Sequence, residues 1–90
     1  MTQFENGTYF RKGKHQFGVI TDDTPRFMQN KHDQSVRTFK CRYLMFSQDT
    51  KTYYWSLETV AWLSYPSYYY FFKRPSKATL AAFYEAWLNE

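Results

Sequence analysis

The chain has 90 residues, which predicts a single domain over residues 1–90, near the size at which one core is just adequate, and excludes a second. Hydrophobic residues make up 43% and aromatic ones 23%, which excludes a disordered chain and predicts a core of few, bulky rings with little Leu or Ile to fill gaps. The formal net charge of +4, with a pI near 9.2, favours polyanions over cationic partners but is a weak field beside that of dedicated nucleic-acid binders.

After a short polar lead, residues 8–12 and 16–21 flank Gly13-Lys14-His15. This predicts a β-hairpin in which Gly13 supplies the positive φ. Asp22-Asp23-Thr24-Pro25 is expected to stop the second strand, since proline donates no ladder bond and the aspartates favour turns. Residues 26–35 show no periodicity and are expected to form the longest irregular, mobile segment, a recognition loop if they have a role.

Residues 36–46 alternate as a strand should, with Phe39, Cys41, Tyr43 and Met45 expected inward and Thr38, Lys40 and Arg42 outward in solvent. Leu44 and Phe46 break that alternation, as if the far end were covered on both sides. Residues 47–51 make a turn that returns the chain along 52–55. Ser56 then looks like an N-cap, and Leu57, Val60, Ala61 and Ser64 predict a short helix ended by Pro66. Five consecutive rings from Tyr68 to Phe72 suit a pleated surface, so residues 68–73 are expected to be a strand. The last helix opens at Ser76, with Leu80, Phe83, Tyr84, Trp87 and Leu88 at the spacing of one helical face. The predicted fold class is therefore α+β: a small antiparallel sheet of about four or five strands, with a C-terminal amphipathic helix packed on one face and the short helix closing an end.

No motif names a chemistry. Two features invite binding. Cations sit on the first hairpin (Arg11, Lys12, Lys14), on the predicted central strand (Arg37, Lys40, Arg42) and at the last strand-to-helix junction (Lys73, Arg74, Lys77). Phosphates attract such groups, and an exposed ring, with Tyr69 the foremost candidate, stacks on unpaired bases. The competing reading is an ordinary solvated sheet whose lysines guard its edges. The second feature is the ring-rich window 53–72, in which Tyr68, Tyr69 and Tyr70 cannot all face one core. At least one should be exposed, ready for a protein partner or a homodimer seam, since Tyr and Arg are enriched at interface hot spots.

Catalysis and cofactors are not expected. His15, or His32 with Asp33, Asp22 and Asp23, offers a general acid and base in composition only, with no nucleophile elbow or paired-carboxylate motif. His15, His32 and Cys41 lack the close spacing of a zinc site. Cys41 is alone, which fits a reducing compartment and an inert small hydrophobe on an inward strand face. The start of the chain lacks a signal-peptide pattern, no apolar run approaches the roughly 20 residues of a spanning helix, and the last helix has no row of cations for anionic lipid. The sequence therefore predicts a cytoplasmic, non-enzymatic binding domain away from membranes. Nucleic acid is the preferred partner, and the alternative is a protein-binding module or a small inhibitor of the mobile-element type acting on a host protein.

Overall fold

The computed structural model describes residues 8–90; the polar lead lies outside the described residues. The fold is α+β. Six strands are present among them, β1 (Tyr9–Lys12), β2 (Gln16–Gln29), β3 (Ser35–Ser47), β4 (Thr52–Trp55), β5 (Thr59–Trp62) and β6 (Tyr69–Phe72), with one α-helix, α1 (Lys77–Leu88), and a single 3-10 turn, Pro66–Tyr68, which takes Tyr68 out of the predicted last strand. These strands pair antiparallel throughout, in the order β4-β3-β2-β1-β6, and β5 shares with β4 the outer edge of β3.

Two of the predicted turns form as expected. Gly13 turns the first hairpin at φ +66°, and Lys51 closes the β3–β4 turn at φ +57°, donating its N–H to the Ser47 carbonyl at 2.9 Å. The predicted stop at Pro25 does not occur. β2 runs on to Gln29, because Pro25 falls inside an irregularity where Asp22 to Arg26 on β2 lies opposite only Lys40 to Thr38 on β3. A bulge leaves proline with no ladder bond to lose. The expected irregular segment 26–35 shrinks accordingly to residues 30–34, which Asn30 organises. Its Oδ1 accepts the N–H groups of His32 (2.9 Å) and Gln34 (3.0 Å).

The predicted short helix after Ser56 is also absent. Ser56, just past β4, is held against β3 instead: its N–H donates to the Tyr43 carbonyl, and its Oγ accepts the Tyr43 N–H, both at 2.8 Å. From Trp55 to Thr59 is four steps, opposite three steps from Leu44 to Cys41, so one extra residue bulges out and the chain resumes as β5. Leu57, the residue that leads the supposed helical stripe, stands in this bulge 87% exposed. β-Branched Thr59 and Val60 suit the strand they join. This strand is what raises the sheet beyond the expected four or five.

Strand β1 lies between β2 and β6, and its first two residues, Tyr9 and Phe10, are buried on opposite faces while Arg11 and Lys12 are exposed. Tyr9 belongs to a core with Val19, Trp55, Phe83 and Ala86 under the helix, while Phe10 belongs to a second core with Phe39, Cys41 and Ala61 on the opposite face. On the side of β3 predicted inward Phe39 and Cys41 are buried and Tyr43 is half-buried, but Met45 is exposed, and it is not the side that the helix covers; Thr38, expected outward in solvent, is buried, its hydroxyl donating to the Arg26 carbonyl at 3.3 Å. Helix α1 begins where expected, with the Ser76 side chain accepting the Thr79 N–H, but its inward face is rotated from the predicted stripe. Phe83 and Ala86 are buried, whereas Tyr84 and Leu88 are exposed. Phe83 stacks on Tyr9 at 4.9 Å between ring centroids and meets Trp55 at 5.2 Å. The helix also seals an edge: Glu85 accepts the Tyr53 N–H at 2.6 Å, and the Asn89 amide donates to the Tyr53 carbonyl at 3.0 Å.

Two substitutions check this packing. Phe83→Ala should cost about 3–5 kcal/mol, the usual size for a buried ring, whereas Leu88→Ala should stay within about 0.5 kcal/mol. Equal losses in urea denaturation would put the helix in the wrong rotation. Gly18 lies opposite Phe10 and Tyr43, and a Cβ there would run into the Phe10 ring and stand 2.9 Å from the Arg42 carbonyl oxygen. The ring is hemmed in by Phe39 and Tyr43 at 5.5 and 5.6 Å, so Gly18→Ala should lower stability by about 1–3 kcal/mol through overpacking. An unchanged midpoint would show that the Phe10 ring has room to move.

Candidate nucleic-acid interface

The nine residues expected to touch nucleic acid fall into two groups with different surroundings. Arg37, Lys40 and Arg42 on β3 each meet an acid. Arg37 Nη2 is 3.0 Å from Asp23 Oδ1, and Lys40 Nζ is 4.0 Å from Glu58 Oε1. Arg42 departs furthest from its expected place in solvent. It is on the helix-covered face, where its guanidinium lies 5.4 Å from the centre of a Trp87 ring, donates to the Ser56 carbonyl at 2.7 Å and pairs with Glu90. The reason is the strand period: with Cys41 and Tyr43 committed to the Phe10 core, Arg42 must point towards the helix. Its role there is to join the helix end to the sheet. These three cations are largely neutralised where they stand.

The other group gathers at the β1–β6 end of the sheet. Arg11 and Lys12 lie directly opposite Tyr70 and Tyr69. The turn carrying Lys14 is tied to the segment before β6 by the Gly13 N–H, which donates to the Tyr68 carbonyl at 2.8 Å. Lys73 and Arg74 follow β6, and Lys77 opens the helix. Among the described residues none of these six cations forms an ion pair. Arg11 stands over the Tyr70 ring at 5.4 Å, and Lys12 over the Tyr69 ring at 5.8 Å. Both distances are within cation–π range.

Tyr69 is not the exposed ring of this end. It is half-buried, its ring packs on Phe10 at 5.8 Å, and its hydroxyl donates to the Trp62 carbonyl at 3.4 Å. Tyr70, one position on, is 59% exposed. It is stacked on Phe72 at 5.8 Å and lines a groove of about 230 Å³ with Arg11, Phe17, Arg74 and Pro75. Tyr68 is equally exposed, so the expectation of at least one tyrosine in solvent holds twice over. The sequence does not single out Tyr70, because the parity of the five-ring run depends on where β6 meets β1. One signal is nevertheless present in it: there is no Asp or Glu from Asn6 to Thr21 or from Thr59 to Tyr84. The fold brings these two acid-free stretches side by side.

The remaining polar candidates are scattered. His15 and His32 occupy turns at opposite ends of the 14-residue β2, and Asp22 and Asp23 belong to the bulged arm between them. Among the described residues no three of His, Cys, Asp and Glu gather to hold a metal ion. None of the described helices is long and apolar enough to cross a membrane. Comparison with known protein families, with curated proteins and with solved structures gives no match.

Burial perturbs three acids of the two cores. It pushes the Cys41 thiol up to about 11 and the Tyr9 phenol up to about 12, the latter aided by nearby Tyr84. Tyr43 is raised as well, first by burial and then by Cys41 and Tyr69. All three hold their protons more tightly when folded, so the stability this brings is complete below the unfolded values near 9 and 10 and is lost as pH rises through 11 and 12. A urea midpoint that is level to about pH 9 and falls steadily to about pH 12 is expected, with a shallower fall in Tyr9→Phe. A wild-type profile with no alkaline slope would mean that these groups are not buried.

Proposed function

We propose that the protein is a non-catalytic, cytoplasmic binding module that grips nucleic acid through the β1–β6 end of its sheet. The observation that supports this most is the segregation of charge. Four cations elsewhere, Arg26, Arg37, Lys40 and Arg42, have acid partners and Lys31 and Lys51 stand apart in turns, while Arg11, Lys12, Lys14, Lys73, Arg74 and Lys77 lie along and around the β1–β6 pair with no ion pair among the described residues. A net charge of +4 is a weak field when spread over the surface and a much stronger one when half of the 12 cations share one end. Exposed rings interleave with those cations, which is the composition of a surface that tracks a phosphate backbone and stacks bases.

Fluorescence anisotropy of a labelled oligonucleotide, titrated at several salt concentrations, tests the reading. Log affinity should fall linearly with log salt. Arg11→Ala with Arg74→Ala should weaken binding to all sequences and flatten that slope by about 0.7 for each single-strand phosphate that the protein no longer neutralises. Lys40→Ala, which removes a cation already paired with Glu58, should leave both affinity and slope near wild type. Absence of binding even at low salt would refute the reading.

A protein partner is the second reading, favoured by the outer edge of β6, along which no described strand pairs. An added strand there would meet Tyr70 and Arg11, a pair of the residue types that anchor interfaces. Such binding would be far less sensitive to salt.

A further inference from the structure

We propose that the ligand at this end is single-stranded, and that the groove between Arg11 and Arg74 takes one unpaired nucleotide, its phosphate held by the two guanidinium groups and its base laid on Tyr70. The inference rests on the nucleic-acid reading above and specifies the form of the ligand.

Three observations lead to it. The first is that the cations of β1 emerge on opposite faces. Arg11 and Tyr70 share the helix-covered side with Tyr9 and Phe72, while Lys12 and Tyr69 share the other side with Phe10. The edge strand β6 runs between the two pairs. Duplex DNA is stiff over about 150 base pairs and can lie along only one of these faces. A single strand can bend round the edge and meet both. The second is the Tyr70 ring, which is exposed although Phe72 packs near-parallel to it, at 26° and 5.8 Å between centroids. Such a ring is a platform for a base, and a base offers its face only when it is unpaired and unstacked from its neighbours. The third is the groove itself, which places both arginines beside that ring with no acidic residue in its lining. In the first turn of α1 the Thr79 N–H is already bonded to the Ser76 hydroxyl and is not free for a phosphate.

Competition separates the possibilities. A labelled single strand bound to the full chain is displaced by the same strand unlabelled, by its duplex, or by inorganic polyphosphate, which carries charge without bases. The unlabelled strand should compete at least about tenfold better than either of the others. Replacing Tyr70 with Ala should weaken single-strand binding by about 5- to 150-fold, the range expected when one base stack is removed, and leave the salt slope and duplex affinity unchanged. Tyr70→Phe should bind as wild type, and melting curves of both variants should match that of the wild type, since the position is exposed. If duplex or polyphosphate competes equally and Tyr70→Ala has no effect, the single-strand groove is overturned while nucleic-acid binding stands. Failure of every polyanion to bind at low salt overturns both.

Discussion

The burial of Tyr9 and Phe10 on opposite faces of one strand is the constraint on which the rest of the structure depends. Each has no exposed surface, and each anchors a different core. Adjacent strand residues must point to opposite faces, so this dipeptide commits β1 to the interior of the sheet with material packed on both sides. On the Tyr9 side the helix supplies Phe83 and Ala86. On the Phe10 side the material comes from the strands themselves and from Leu63, just past β5. Gly18 completes the arrangement, since only a residue without Cβ leaves room for the Phe10 ring between β1 and the Arg42 carbonyl. The next two residues inherit the alternation, which is why Arg11 and Lys12 leave the core on opposite faces. The core thus dictates the geometry of the surface that we assign to binding.

The same logic explains why two sets of cations with similar sequence surroundings meet different fates. Strand β3 is flanked on one side by β2, whose bulged arm carries Asp22 and Asp23, and on the other by the β4–β5 junction that carries Glu58. Its cations cannot avoid acids. Strand β1 is flanked by the start of β2 and by β6, both drawn from acid-free stretches. Exposed pairs such as Arg37–Asp23 and Lys40–Glu58 contribute little stability, on the order of 0–1 kcal/mol, but they do cancel the field a phosphate would feel. What distinguishes the β1–β6 end is therefore as much the absence of acids as the presence of cations.

Much of the fold is legible in the sequence because local signals and tertiary packing agree. Gly13 in a positive-φ turn, the period-two run of β3 and Ser76 as a helix cap each state their own structure. The departures share one cause, which is that a neighbouring element overrules a local signal. Pro25 usually ends a strand, but the β2–β3 pairing absorbs it in a bulge. Ser56 is an excellent N-cap, yet Tyr43 engages both its N–H and its hydroxyl first. Periodicity puts Tyr84 and Leu88 in one helical stripe with Leu80, Phe83 and Trp87 because all are apolar at that spacing, whereas the helix approaches the sheet through Phe83, Trp87 and small Ala86 and leaves Tyr84 and Leu88 exposed. Of the candidate site, the residue types are readable and the grouping is not, because it depends on the long-range pairing of β1 with β6, roughly 60 residues apart in sequence.

The two edges of the sheet show how sequence differences become different capacities. At the β4 edge the helix lays Glu85 and Asn89 against the Tyr53 backbone, so a donor and an acceptor that could template another strand are already satisfied. At the β6 edge no described element plays that part. The flanking residues are instead Lys12, Lys14, Lys73 and Arg74, cations that repel a second copy of the same edge. Those charges discourage self-pairing and attract a polyanion by one and the same field, so guarding the edge and binding there are not competing explanations. Under the proposed reading Tyr70 is the residue that edge protection leaves unexplained: charge alone discourages self-pairing, and an exposed ring packed beside Phe72 and Arg11 adds apolar surface to a place where edge protection alone favours none.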